Sequence, residues 1–125
     1  MPEVEVLKVR DAKVTPGVKD SGIQDRHLLG NVHLGGRPTN NLALMATVFE
    51  PGKRGSGPHK HDVEQAIFIV KGKGKAVVGD KEYALEPDTL VYLPVNEVHD
   101  LSNTGNEPLV FVAVLSKSSY SYERI

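Results

Sequence analysis

The sequence contains no cysteine. Disulfide bonds, thiolate ligands and a cysteine nucleophile are therefore all excluded. Any metal site must be built from imidazole, carboxylate or amide groups. Charge of either sign is also not in excess: 15 Lys and Arg stand against 16 Asp and Glu, a formal net charge of -1. No basic run stands out, and the three lysines between Lys71 and Lys75 alternate with glycines, as in a solvated turn. Neither nucleic acid nor an anionic membrane is expected as a partner. No apolar stretch approaches the roughly 18 residues of a membrane-spanning helix. The start, Met1-Pro2-Glu3-Val4-Glu5, lacks the basic and apolar regions of a secretory signal. A cytoplasmic location is the expectation.

Helical periodicity is nearly absent as well. What is present instead is a series of short alternating or apolar runs punctuated by Gly, Pro, Asn and Asp, the pattern of an all-β sandwich or barrel. Strands are expected at about Val4–Val9, Arg26–Leu34, Asn41–Phe49, Glu64–Lys71, Lys75–Val78, Lys81–Leu85, Thr89–Leu93, Val98–Asn103 and Leu109–Leu115. Turns are expected around Thr15-Pro16-Gly17, Asp20-Ser21-Gly22 and Asn103-Thr104-Gly105-Asn106, and Gly79-Asp80 reads as a two-residue hairpin loop. The length of 125 residues suits one domain. Its expected parts are N-terminal strands and loops over 1–40, a barrel core over 41–116 and a tail over 117–125.

Two strands are apolar on both faces. Asn41–Phe49 sets Leu42, Leu44, Ala46 and Val48 against Ala43, Met45 and Phe49, and Leu109–Leu115 is apolar throughout. Such strands are buried on both sides. A small barrel covers only its inner face, so the outer face predicts a partner subunit, with a homodimer expected. The alternative is a sandwich that covers both faces within one chain.

Three of the five histidines are informatively spaced. In an extended chain, His59 and His61 point to the same side with about 6.6 Å between their positions, close enough to share an ion. The same parity continues to Val63, Gln65, Ile67 and Ile69, giving a polar mouth above an apolar wall, as in a small-molecule pocket. His99 follows the turn Pro94-Val95-Asn96-Glu97, where Asn96 suits a left-handed backbone.

These residues resemble the two motifs of the cupin superfamily. The first motif reads His-x-His, three or four residues, an acidic residue, six residues and Gly. His59, His61, Gln65 and Gly72 match it in spacing. The second reads Gly, five residues, Pro-x-Gly, two residues, His, three residues and Asn, and is matched at Pro94, His99 and Asn103. Asp88 and Asn96 stand where that motif has Gly, and Gln65 stands where the first has its acid. The resemblance covers about Leu42 to Leu115. It implies a cupin-type double-stranded β-helix, or jelly-roll barrel, and one divalent transition metal ion (Mn, Fe, Ni, Zn or Cu) held by His59, His61, Gln65 and His99.

With Gln65 in place of a carboxylate, all four ligands are neutral. The ion then keeps its full charge, acts as a stronger Lewis acid and favours an anionic ligand from outside the protein. Glu64 replaces Gln65 only if a bulge shifts the strand by one residue. The resemblance implies dioxygenases, isomerases or epimerases, and lyases acting on a small organic acid, a sugar derivative or an oxidisable carbonyl compound. A non-catalytic cupin that binds a small ligand is the alternative, and a structural protein with a silent site is a third. No general base is evident beside Gln65 or His99. His27 and His33 share parity and read first as exposed residues, with the lining of a pocket or a subunit interface as the alternative. Tyr92 and Phe68 are candidate substrate contacts, of which Phe68 reads first as core. Tyr120 and Tyr122 are expected to dock the tail on a neighbouring strand.

Overall fold

The computed structural model describes residues 3–15, 22–55 and 57–124. Ten strands run in order as β1 (Ile23–Leu29), β2 (Ala43–Phe49), β3 (His59–His61), β4 (Gln65–Lys71) and β5 (Gly74–Val78), then β6 (Lys81–Leu85), β7 (Leu90–Leu93), β8 (His99–Asn103), β9 (Leu109–Leu115) and β10 (Tyr122–Arg124). They form two antiparallel five-stranded sheets, ordered β1-β2-β9-β4-β7 and β10-β3-β8-β5-β6. This is the jelly-roll arrangement of the cupin double-stranded β-helix.

Strand β9 is central because it is apolar throughout. Leu109, Phe111, Ala113 and Leu115 are buried and point inward. β9 pairs with β2 from Ala43↔Leu115 to Phe49↔Leu109 and with β4 from Gln65↔Leu115 to Lys71↔Val110. Period-two alternation puts Ala43, Met45, Thr47 and Phe49 of β2, and Gln65, Ile67 and Ile69 of β4, on the same inner face. There Phe49 and Phe111 meet edge to face at 5.4 Å. Leu85 of β6, Ala76 of β5 and Leu101 of β8 close the core from the opposite sheet.

Several sequence expectations change. Residues 4–8 form no strand, and Val9–Asp11 is a 3-10 turn with exposed side chains. The segment alternates too briefly to bury a face, and Val4 and Val6 stay in solvent. The strand expected at Arg26–Leu34 starts earlier and stops at Leu29, because Gly30 and Asn31 adopt positive φ and lead into a 3-10 turn at Val32–Leu34. His59–His61 and Gln65 do not share one strand. The chain bends at Asp62 and Val63, so β3 and β4 lie in different sheets. Phe68 is exposed on the outer face rather than in the core, and Tyr92 lies on that face too. The turns expected from Thr15 to Gly22 fall largely on residues 16–21, outside the described residues.

The turn residues behave as their chemistry dictates. Asp88 and Asn96, the two departures from glycine, sit at φ 66° and 64°. Asn96 donates its N–H to the His61 carbonyl at 2.8 Å, tying the turn before β8 to the end of β3. Asn103 ends β8 with a buried side chain that donates to the carbonyls of Phe49 and Glu107, both at 2.9 Å, and accepts from the Gly105 N–H.

Gly72 has φ +89°, and a Cβ there would lie 2.3 Å from the Pro108 carbonyl oxygen and 2.8 Å from the Leu109 Cα. Both neighbours are backbone and cannot swing away. We expect Gly72→Ala to cost at least about 2 kcal/mol, combining left-handed strain with overpacking. Urea unfolding should show a lower midpoint at an unchanged slope.

Candidate metal centre and cavity

His59 of β3 and His99 of β8 face each other as register partners across adjacent strands. Their ring centroids are 4.3 Å apart. His61, two residues along β3 on the same side, lies 5.2 Å from His59 and 5.6 Å from His99 between ring centroids. One nitrogen from each ring falls within 4.8 Å of the others, the only such group of potential ligands among the described residues.

Main-chain carbonyls orient all three rings. The Nδ1–H groups donate to Gly57 O at 2.7 Å from His59, to Ser121 O at 3.1 Å from His61 and to Glu97 O at 2.9 Å from His99. Engaging Nδ1 leaves each Nε2 as the acceptor, the arrangement that prepares an imidazole to ligate a metal. Burial, followed by the proximity of His59, pushes His99 down to about 4, and burial likewise lowers His61. Both rings are therefore neutral at pH 7, as ligation requires.

Gln65, at the start of β4, faces the same space from the opposite sheet. It is buried, and its Oε1 has no hydrogen-bond partner. A buried amide oxygen without a partner is costly, and a cation in front of it removes that cost. Glu64 is exposed on the outer side, where it accepts the Tyr92 hydroxyl at 2.7 Å. The register of β4 is regular from Gln65 to Ile69 and shifts only between Ile69 and Lys71. The residues present thus fit a metal ion through three imidazole nitrogens and one amide oxygen, with no carboxylate in the set.

The three rings line a cavity of about 560 Å³ between the sheets. Its walls are largely apolar, with Ile23, Met45, Phe49, Ile67, Leu101 and Phe111 among them. The C-terminal segment forms another wall. β10 pairs with β3, Asp62 accepts from the Ser121 N–H at 2.8 Å and from Lys117 Nζ at 3.3 Å, and the Ser118 carbonyl accepts from the Asn31 N–H at 2.6 Å. This docking stacks Tyr122 on His59 at 4.9 Å and sets Tyr120 edge-on to His61 at 5.1 Å. The tail therefore shapes the site and supplies the carbonyl that orients His61.

His27 and His33 also line the cavity, so His27 is not the exposed residue that its spacing alone suggested. Asp25 of the same strand lines it too, and its Oδ1 accepts the Thr47 hydroxyl at 2.8 Å. The sequence reading missed Asp25. The signal was there in the alternation Ile23, Asp25, His27, but it needed the strand to begin at Ile23. Phe68 and Tyr92 do not reach the cavity.

The fold and the site agree with what the chain resembles. A family model described as "Cupin domain" matches residues 45–115, more than half of the chain. The glucose-6-phosphate isomerase of Thermococcus gammatolerans is 36% identical over 87 residues, covering 59% of this chain and 46% of that protein. The auxin-binding protein T85 of Nicotiana tabacum is 28% identical over 108 residues, covering 78% of this chain and 56% of its own length. The chain thus spans about half the length of these curated relatives. Among solved structures, the polyketide cyclase RemF from Streptomyces resistomycificus superposes with a TM-score of 0.78 at 16% identity, covering 98% of this chain and 86% of that one. With the two sheets, the histidine spacing and the matched residues in agreement, the chain belongs to the cupin family.

Proposed function

We propose that this cupin is a metal-dependent enzyme. Its divalent transition metal is held by His59, His61, His99 and Gln65, and its substrate is a small organic acid or sugar-derived compound. The observation that carries this reading is the set of three imidazoles whose Nδ1–H groups are all committed to carbonyls, facing a buried amide oxygen that has no partner. Three histidines and an amide leave coordination positions for a ligand from the cavity, unlike a closed structural site. Isomerase or epimerase, lyase and dioxygenase chemistry all use such open positions, and the isomerase relative supports the first group. A non-catalytic ligand-binding role is the second reading, favoured by the auxin-binding relative and by the apolar walls.

Protein purified without added metal should carry about one transition metal ion per chain by elemental analysis. Less than roughly a tenth of an ion, with no rebinding on titration, removes the reading. Gln65→Ala should weaken metal binding by roughly tenfold or more, whereas Glu64→Ala should leave it unchanged. Equal losses, or none, contradict the choice of Gln65.

We also propose that the chain works as a homodimer. The outer face of the β1-β2-β9-β4-β7 sheet carries Leu44, Val48, Val110, Val112 and Val114 in its middle and Phe68, Val70, Leu90 and Tyr92 towards β7. Phe68, Val70, Leu90 and Tyr92 are 43–65% exposed. A contiguous apolar sheet face of this kind is covered in a stable assembly, and a second copy offers the same surface through a two-fold axis. Sedimentation equilibrium at micromolar concentration should give twice the mass of one chain, and the single-chain mass rules the dimer out.

A further inference from the structure

Across the cavity from the three clustered histidines lies a second polar group. Asp25 and His27 project from β1, the outer strand of one sheet, while the histidine cluster sits on β3 and β8 of the other. Asp25 is the only carboxylate among the described residues that line the cavity. Its Oδ1 is anchored by the Thr47 hydroxyl, a bond that engages one of its two oxygens. His27 follows on the same face of the strand. Its Nδ1 lies 3.5 Å from Asn31 Nδ2, and as an amide nitrogen can only donate, the proton of the neutral ring belongs on Nε2. Tyr120, which lines the cavity too, packs its ring edge-on against His61. A fixed acceptor and a donor thus share one wall of the cavity.

We propose that Asp25 is the general base of this cavity and His27 Nε2–H the donor to a carbonyl oxygen, so that the substrate is an enolisable carbonyl compound, a 2-oxo acid or α-hydroxy ketone. This rests on the proposed metal-dependent function, in which the histidine cluster serves the acidic or hydroxyl oxygen of the same molecule. The α-proton passes to a carboxylate oxygen of Asp25. The C–H electron pair becomes the carbon–carbon double bond, and the carbonyl π pair moves to oxygen, which accepts the His27 hydrogen bond. Return of the proton to the same carbon completes an exchange. In an α-hydroxy ketone, its return to the former carbonyl carbon, with the hydroxyl proton passing to the enolate oxygen, completes an isomerisation, and neither needs an oxidant. Burial, the leading cause, lowers the His27 pKa and keeps the ring neutral at pH 7, so it serves as a donor rather than a charge. Asp25 is half-buried in the cavity wall, and the Thr47 hydroxyl engages only one of its two carboxylate oxygens.

The test is solvent exchange in D2O followed by proton NMR, with pyruvate and dihydroxyacetone as probes and the full chain either metal-loaded or treated with chelator. Asp25→Asn keeps an acceptor for Thr47, so the fold should persist. We expect metal-loaded protein to exchange the α-protons of at least one probe, and Asp25→Asn to slow that exchange by roughly 100-fold or more. Metal content should stay the same, as should probe broadening by the Mn(II)-loaded protein. Asp25→Glu should restore part of the rate. Unchanged exchange in Asp25→Asn overturns the proposal, as does binding of both probes without exchange, or binding of neither. If the wild-type protein takes up no metal, the proposed function fails on its own. Exchange that persists without metal but is lost in Asp25→Asn would still support the base, and no exchange would overturn it.

Discussion

Three imidazoles can serve one ion only if each turns a lone-pair nitrogen towards the same point. In this protein three hydrogen bonds from Nδ1–H to main-chain carbonyls set which nitrogen faces inward. Everything else in the site follows from them. They select the tautomer, orient the rings and leave three acceptors towards the cavity. Burial disfavours the charged form of His61 and of His99.

These bonds differ in origin. Gly57 and Glu97 each lie two residues before the histidine they orient, so local chain geometry supplies those carbonyls. Ser121 lies 60 residues from His61, and its carbonyl arrives only because β10 docks on β3. The C-terminal segment is held there by Asp62, which binds both Ser121 and Lys117. One end of the chain is thereby coupled to the orientation of a candidate ligand in the middle. The same docking brings Tyr120 and Tyr122 against the rings, so the tail contributes to the cavity as much as any strand of the barrel.

Gln65 brings a different kind of constraint. It reaches the site from the opposite sheet, so its distance to the histidines depends on how the two sheets pack. Its Oε1 remains without a hydrogen bond, while neighbouring Glu64 has turned outward to Tyr92. A neutral ligand set would leave the ion's charge for the substrate to balance. Among the described residues that line the cavity, Asp25 carries the one negative side chain, and it stands on β1, in the sheet opposite the histidine cluster.

The β class, most of the strands and the histidine cluster were legible in the sequence along the chain. Alternation with period two, turn residues at Gly79, Asp88 and Asn96, and the spacing of His59, His61 and His99 are local signals that survive in one dimension. Its errors were of one kind. Residues 4–8 alternate like a strand but have nothing to pair with, and Phe68 is as apolar as a core residue but faces outward. His59, His61 and Gln65 share a parity that suggested one continuous strand, yet a bend at Asp62 sends them to two sheets. The folded arrangement was needed to bring Gln65 and the histidines together again across a cavity, to set Ser121 against His61, and to turn Asp25 and His27 into the same space. Those relations depend on which strands pair and which sheets face each other, and long-range pairing of that sort is set by the packing of the whole chain.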